Sequence, residues 1–588
     1  MEQDNPTLRY FDAEMRYLRE AGQEFAKAFP DRAAQLGMDR PGTGDPFVER
    51  LFEGFAFLMG RLREKLDDDL PELTEGVVSL LWPHYLRTVP SLAIVELTPD
   101  LSRLKIPHTL ERGLEVISRP VGPARTCCRY TTTEPLVLRP LAVERLGLAF
   151  EPDGRSVLRL RLACGEHTDW NLVDLARLPL YLNADAPLAY ALHRALTVKM
   201  QALYVRLPGQ AQRRRLAGCF KAKGFADEER LWPKGDSAFS GYQLLLEYFS
   251  FPEKFLFVTL HGLEHLQMLP GTAWLELDIV LSEAWPHQFA LRGEHLRLHS
   301  VPVINLFSLR GDPINLDPLQ SEHLLRPQRL QDGHTEIYSV DSVTALGTPQ
   351  PGHYVPFTSF RHRGGMLRDD APERYFHTRV RQGPNGLHDT WLILGGEAFE
   401  DERLLAGQRV SLSLTATNGQ LPRKALTRTL LDRMAVDLPG VSVRNLSAPT
   451  LPCYPPSRDR FHWRVLSHLG SQFLPMLDNA EVLRGTLALY DWASSELNRR
   501  RLEAIVEVKH RLLQRIDQGF VARGVAIEVT IDSGGFCGAG DINLFGEMLN
   551  RFFALYADVH LFNQLTLLMH PEGKRLQWNE NHNLHIPG

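Results

Sequence analysis

Apolar or small residues at Leu8, Phe11, Met15, Leu18, Gly22, Phe25 and Phe29 follow a 3-4-3-4-3-4 spacing. That spacing predicts a helix carrying one narrow stripe, and Pro30 ends it. Arg9, Glu14, Arg16, Arg19, Glu20, Glu24 and Lys27 occupy the other faces. A helix solvated around most of its circumference must lay its stripe against something else.

A second helix is predicted in "DPFVERLFEGFAFLMGRLREKLDDDLP", with Asp45 placed as N-cap and Pro46 at the first helical position. Its apolar set, Phe47, Val48, Leu51, Phe52, Phe55, Leu58, Met59, Leu62 and Leu66, is broader, as expected of a helix packed on more than one side. Asp67, Asp68 and Asp69 crowd its C-terminal end, where the helix dipole disfavours negative charge. They read either as a solvated end or as an acidic contact for a partner. "VVSLLWPHYLRTVPS" reads as a buried helix closed by Pro90.

The texture then changes to short alternating or β-branched runs broken by Pro and Gly. "SLAIVELTPD", "SVLRLRLAC", "LYVRLPG", "YQLLLEYFSFP", "FLFVTLHG" and "WLELDIVLS" all read as strands. "DLARLPLYLNADAPLAYALHRALTVKM" interrupts them as helix, and the Pro-, Gly- and His-rich stretch from Pro313 to Ala371 reads as long loops around an isolated strand, "EIYSVDSV". After the proline-rich "NLSAPTLPCYPPSRDR" comes an α-β-β-α-β-β order resembling a ferredoxin-like or split-βαβ module. Its second helix, from Asp541, carries the stripe Ile542, Phe545, Leu549, Phe552, Tyr556 and Val559.

The expected architecture is therefore α+β and multidomain. Residues 1–90 form an N-terminal helical region, 91–200 a first α+β domain, 201–444 a β-rich middle with long loops, and 445–588 a C-terminal ferredoxin-like α+β module. A length of 588 residues agrees with several cores. With 44% hydrophobic and 23% charged residues the chain is of ordinary globular composition. A net charge of −5 leaves no electrostatic footprint for nucleic acid, and basic runs such as Arg213-Arg214-Arg215 are short. Six scattered cysteines, only Cys127 and Cys128 adjacent, form no disulfide framework. The acidic "MEQDNPTLRYFDAEMRYL" lacks a secretory leader's pattern, and no apolar run reaches membrane-spanning length. The expectation is a cytoplasmic protein without direct membrane insertion.

Two motifs suggest chemistry. "IDSGGFCGAGDINLFGEML" resembles a serine-protease nucleophile at Asp532-Ser533-Gly534-Gly535 and a phosphate-binding loop at Gly535 to Gly540. The first lacks its preceding glycine, which is Ile531, and has no upstream partner histidine motif. The second lacks the Lys-Ser/Thr pair, its third dinucleotide-type glycine is Asn543, and Asp541 would repel a phosphate from the helix N-terminus. A turn feeding an amphipathic helix capped by Asp541 accounts for every residue. His261-Gly262-Leu263-Glu264-His265 has the order of an inverted zinc-peptidase motif, but a strand-like run precedes it and the helical context is missing. A hydrolase using His261 and His265 is the alternative function. His582 and His585 near the end fall short of a four-ligand site.

Several segments together resemble one family. "LRYFDAEMRYLREAGQEFAKAFPDRAAQL", the "DPFVERLFEGF…" segment through "YLRTVPS", "GYQLLLEYFSFPEKFLFVTLHGL", "VPVINLFSLRGDPINLD", "EIYSVDSV", "TATNGQLP", "NLSAPT" and "FGEMLNRFFALYADVHLFNQLTL" look like TssF (VasA, ImpG), a baseplate component of the bacterial type VI secretion system. The resemblance implies a structural protein with no catalytic residue or cofactor. It implies a wedge of two TssF copies with one TssG, six wedges around a VgrG spike hub, TssK as the link to the membrane complex and TssE as the link to the sheath. It further implies a cytoplasmic protein docked at the inner membrane through these assemblies. Candidate partner-binding residues are Leu8, Phe11, Met15, Leu18, Phe25 and Phe29 on the N-terminal stripe, and Phe545, Phe552 and Tyr556 on the C-terminal one. Alternative docking of two identical copies points to hinges near Leu451 to Pro456 and Pro351 to His362.

Overall fold

The computed structural model describes residues 11, 14–18, 50–59 and 78, then 83–456 and 473–582 except 211, 233–239, 318–319, 329–333, 347–351, 357–373, 383–387, 396–408, 425–428, 518–519 and 557–560. Two compact units result. One comprises Met1–Ser79 with His462–Leu466, and the other Leu80–Phe461 with Ser467–Gly588.

In the smaller unit, residues 14–18 and 50–59 are helical, as their periodicity predicts. Met15 is buried, and Phe11 and Leu18 are half-buried. Leu8, Phe25, Phe29 and the Asp67–Asp69 run lie outside the described residues.

The larger unit is α+β, and two of its sheets run across residue 200. A six-stranded sheet orders Leu431–Met434, Glu115–Val121, Thr126–Thr132, Ser300–Ile304, Leu92–Pro99 and Val441–Asn445. Its strands come from both sides of residue 200. It curls until its edge strands meet, where the Leu431 amide donates to Asn445 Oδ1 at 3.2 Å and Asn445 Nδ2 donates to the Ser447 carbonyl at 2.9 Å. Val95, Leu97, Val116, Cys128, Tyr130, Val301 and Val303 fill the interior.

A five-stranded antiparallel sheet likewise joins Leu141–Phe150 and Ser156–Cys164 to Met200–Arg206, Arg214–Leu216 and Trp274–Leu281 across residue 200. "EIYSVDSV" is not isolated, because Glu336–Leu346 pairs with Arg409–Thr417 inside an eight-stranded sheet. In the segment from Asp174 read as helical, Arg177–Leu182 is a strand and Ala186–Thr197 is the helix, with Pro187 in its first turn.

"YQLLLEYF" is helix, not strand, within Ser240–Ser250. Residues 242–249 are all buried, so the run has no solvated face to reveal a 3.6-residue period. Its polar members hold each other inside the core. Gln243 Nε2 donates to Glu247 Oε1 at 2.9 Å, the Leu231 amide donates to the same oxygen at 3.0 Å, and Lys254 pairs with Glu247 Oε2.

At the C-terminus, Ile505–Asp517, Phe520–Asp532, Leu561–His570 and Lys574–Gln577 lie in that spatial order, with the Ala539–Tyr556 helix crossing over between the second and third. The parallel pair Phe520–Asp532 and Leu561–His570 are direct neighbours. A split-βαβ module places another strand between its parallel pair, so the ferredoxin-like expectation is corrected to a hairpin followed by a simple βαβ unit and a returning strand.

Two buried histidines give the fold a pH dependence. Burial holds the His193 imidazole down at about 4, and burial with the nearby Arg139 guanidinium holds His299 at about 3. Both are neutral in the folded chain and take up a proton on unfolding below about 6.5, so their contribution is complete above that pH and shrinks on acidification. Chemical denaturation between pH 7 and pH 4.5 should show stability falling by up to about 1.4 kcal/mol per pH unit for each group. The slope should flatten in His193→Gln; an unchanged slope would refute this assignment.

Candidate functional site

The glycine-rich stretch is built around a buried ion pair. Asp532 ends its strand and accepts the Gly534 amide at 2.9 Å, closing the short turn Ser533–Gly535. The Ser533 hydroxyl lies 3.1 Å from the His570 carbonyl and 3.0 Å from Glu572 Oε1. Asp541, in the first turn of Ala539–Tyr556, accepts the Cys537 amide at 3.0 Å and meets Arg501 at 2.6 Å. Both charged side chains are fully buried. An aspartate already holding the helix entrance, with its own guanidinium, leaves no place for a phosphate.

Arg501 gathers four helices. From Glu496–Glu503 it donates to Tyr190 Oη at 2.9 Å on Ala186–Thr197, faces the Tyr248 ring of Ser240–Ser250 at 5.6 Å, and pairs with Asp541 of Ala539–Tyr556. Burial opposes its charge, but Tyr248, Tyr190 and Asp541 outweigh burial and hold its pKa above the ordinary value. Asn498, one turn earlier, donates to the Phe249 carbonyl at 2.9 Å and Asp491 Oδ1 at 2.8 Å. Gly540 allows the close approach: a Cβ there would stand 2.1 Å from the Tyr190 carbonyl oxygen.

Beside this junction lies a cavity of about 230 Å³, lined by Tyr190, Trp285, Phe289, Cys537 and Gly540 among others. Arg194 and Lys199 on its wall both pair with Glu283, so the three together carry one net positive charge.

The zinc-peptidase pattern does not assemble. His261 ends the strand Phe257–His261, whereas His265 is 89% exposed in the turn beyond it. Gly262 between them has φ +94°, and a Cβ there would lie 2.4 Å from Gly218 Cα, so the segment cannot continue as a helix with both imidazoles on one face. Among the described residues no group of three or more His, Cys, Asp or Glu is arranged to hold a metal ion. His585 and the side chain of His582 lie outside the described structure.

The candidate partner residues divide sharply. Phe545 and Phe552 are fully buried, Phe545 packing 5.3 Å from Phe536 and 6.2 Å from Tyr248. They are core residues, which corrects their placement on a partner-facing stripe. The Tyr556 backbone ends the helix, and its side chain is outside the described set. Uncovered apolar surface instead lies on helix 50–59, where Leu51 is 70% and Leu58 67% exposed, with Phe55 and Phe57 also exposed and Ala56 buried. The breadth of its apolar set in the sequence was the signal for this surface; what it signals is uncovered area on the chain by itself, not contact on every side.

The family model described as "Type VI secretion system, TssF" matches residues 3–584. The chain belongs to the TssF family. A Pseudomonas aeruginosa protein, "Type VI secretion system component TssF1", is 30% identical over 617 residues, covering 98% of each chain. A cryo-electron microscopy structure of the type VI secretion TssK-TssF-TssG baseplate subcomplex contains a chain 61% identical to this one, with TM-score 0.82, covering 92% of this chain and 100% of that one. A chain in a structure of the type VI secretion baseplate complex is 56% identical, with TM-score 0.69, covering 99% and 100%.

The segments that carry the TssF resemblance hold the fold together. In "NLSAPT", Asn445 joins the curled sheet's edges, Ser447 Oγ accepts the Ile94 amide at 2.8 Å and Thr450 Oγ1 accepts the Leu92 amide at 3.0 Å. Asn418 of "TATNGQLP" and Asn305 of "VPVINLFSLRGDPINLD" bond each other twice, at 2.7 and 2.9 Å, both buried.

Asp541→Ala strands a buried guanidinium and should lower stability by about 3–5 kcal/mol in urea denaturation. The paired change Arg501→Met with Asp541→Leu should recover most of that loss. Equal loss in both variants would contradict a dominant ion-pair contribution.

Proposed function

We propose that this chain is a structural subunit of the type VI secretion baseplate wedge, assembling with TssG and TssK. Two copies join one TssG, and the wedges so formed meet the VgrG hub, connect through TssE to the sheath and dock at the inner membrane through the membrane complex. The observation carrying this reading is the likeness at 61% identity to the chain solved with TssK and TssG. A second observation supports the location of the contact. The described part of helix 50–59 exposes Leu51, Phe55 and Leu58. Large aliphatic and aromatic side chains in one short helical segment are the material of an obligate helical interface, which typically buries 2,000 Å² or more with aromatic anchors at its centre. The first helix adds Phe11 and Leu18, half-buried, with Leu8, Phe25 and Phe29 as further candidates on the same stripe.

Leu51→Asp with Leu58→Asp, and separately Phe11→Asp with Leu18→Asp, test this on the full chain co-expressed with TssG. Recovery of TssG should fall at least tenfold in both variants, while circular dichroism of the chain alone stays unchanged. Full recovery of TssG with folded variants would remove the N-terminal helices from the interface.

A further inference from the structure

We propose that the outer face of the five-stranded antiparallel sheet is a docking surface for an acidic protein partner. Such docking rests on the reading that this chain assembles with TssG and TssK. Strand alternation puts Leu158, Leu160, Leu203, Leu275 and Leu277 on the buried face and arginines on the other. The registers line these up in two rows. Arg206, Glu276, Arg161 and Arg145 stand side by side in one, and Arg215, Tyr204, Asp278 and Arg159 in the next. Four of the arginines are matched. Arg159 reaches Asp278 at 2.7 Å and Glu276 at 3.6 Å, Arg206 lies 3.5 Å from Glu276, Arg161 3.1 Å from Glu144 and Arg213 2.6 Å from Glu151. Arg161 also lies 4.3 Å from the centre of the Trp274 ring, and Arg213 4.3 Å from that of Tyr204. Arg145 and Arg215, on the two outermost strands, are exposed, and neither forms an ion pair among the described residues. Six guanidinium groups against four carboxylates leave two positive charges, one on each flank of the face. Arg145 stands directly opposite Arg161, where like charges destabilise a sheet, so a carboxylate brought from outside would relieve the repulsion.

The chemistry selects the partner. A guanidinium fork matches a carboxylate through two parallel hydrogen bonds, and Arg, Tyr and Trp are the side chains enriched in protein interfaces. The matched arginines are already held by the carboxylates and rings around them, so they lose little freedom when a partner binds. Four strand spacings of about 4.8 Å, with one two-residue step along the strands, set Arg145 and Arg215 roughly 20 Å apart. The partner therefore presents carboxylates at about that separation. Two unmatched charges are too few for a nucleic acid, whose binders contact about 6–10 phosphates.

The test uses the full chain co-expressed with TssG and TssK. Arg145→Glu with Arg215→Glu should lower recovery of at least one of the two partners about tenfold at about 150 mM salt, while circular dichroism of the chain alone stays unchanged. Arg145→Lys with Arg215→Lys keeps the charge and supplies amines for zero-length carbodiimide coupling. Cross-links from positions 145 and 215 should run to aspartates or glutamates of a partner protein. Full recovery of both partners with the charge-reversed chain, or coupling from these positions confined to this chain, would overturn the proposal. Nucleic acid that co-purifies with the unaltered chain and is lost on charge reversal would overturn it too, by giving the face to a different ligand. If the charge-reversed chain does not fold, the coupling decides. If TssG and TssK co-purify with every variant, the docking surface fails and the wedge reading stands; if neither co-purifies with the unaltered chain, the wedge reading fails and this surface with it.

Discussion

Burying an arginine and an aspartate together is the constraint around which the C-terminal half of the larger unit is arranged. Neither side chain can leave water alone, because an isolated buried charge costs far more than any single contact returns. Arg501 therefore requires Asp541 at the entrance of the long helix, the Tyr190 hydroxyl, and the ring of Tyr248 at its side. Arg501 and Tyr190 alone are 311 positions apart in the chain. Forming the pair thus fixes the mutual placement of four helices, and the absence of a side chain at Gly540 lets two of them touch.

The same logic governs the segments that mark the family. Glu247 and Lys254 are buried in contact with each other, and Asn305 and Asn418 are amides that satisfy each other. Asn445, Ser447 and Thr450 supply side-chain donors and acceptors where regular strand pairing runs out. Polar residues in unusual order look like catalytic equipment in a sequence. Here each meets backbone or another fixed side chain, so their role is to end strands, close a sheet and join layers.

Much of the local structure was legible. Alternation identified Leu92–Pro99, Ser156–Cys164 and Trp274–Leu281 as strands, and Asp541 was recognisable as the residue that excludes a phosphate. "YQLLLEYF" was misread because complete burial erases helical periodicity; the i, i+4 placement of Gln243 and Glu247 was the remaining clue. The long-range strand pairing was illegible for a different reason. A linear reading assumes that neighbouring segments pair, whereas Leu92–Pro99 pairs with Ser300–Ile304 on one side and Val441–Asn445 on the other. The stripe from Ile542 predicted an amphipathic helix and could not say that Phe545 and Phe552 face inward. The exposed apolar side chains of helix 50–59 were visible as composition, while their exposure depends on what the chain itself fails to cover.

The curled six-stranded sheet also has a history in time. Glu96 and Arg444, which bond at 2.7 Å across it, are 348 residues apart. During synthesis the strand Leu92–Pro99 emerges with both edges open; Ser300–Ile304 can close one of them, and the other stays open until the ribosome has passed Asn445. At roughly 5–20 residues per second that interval is tens of seconds. An apolar strand whose edge stays open for so long is exposed to mispairing until its last partner is made.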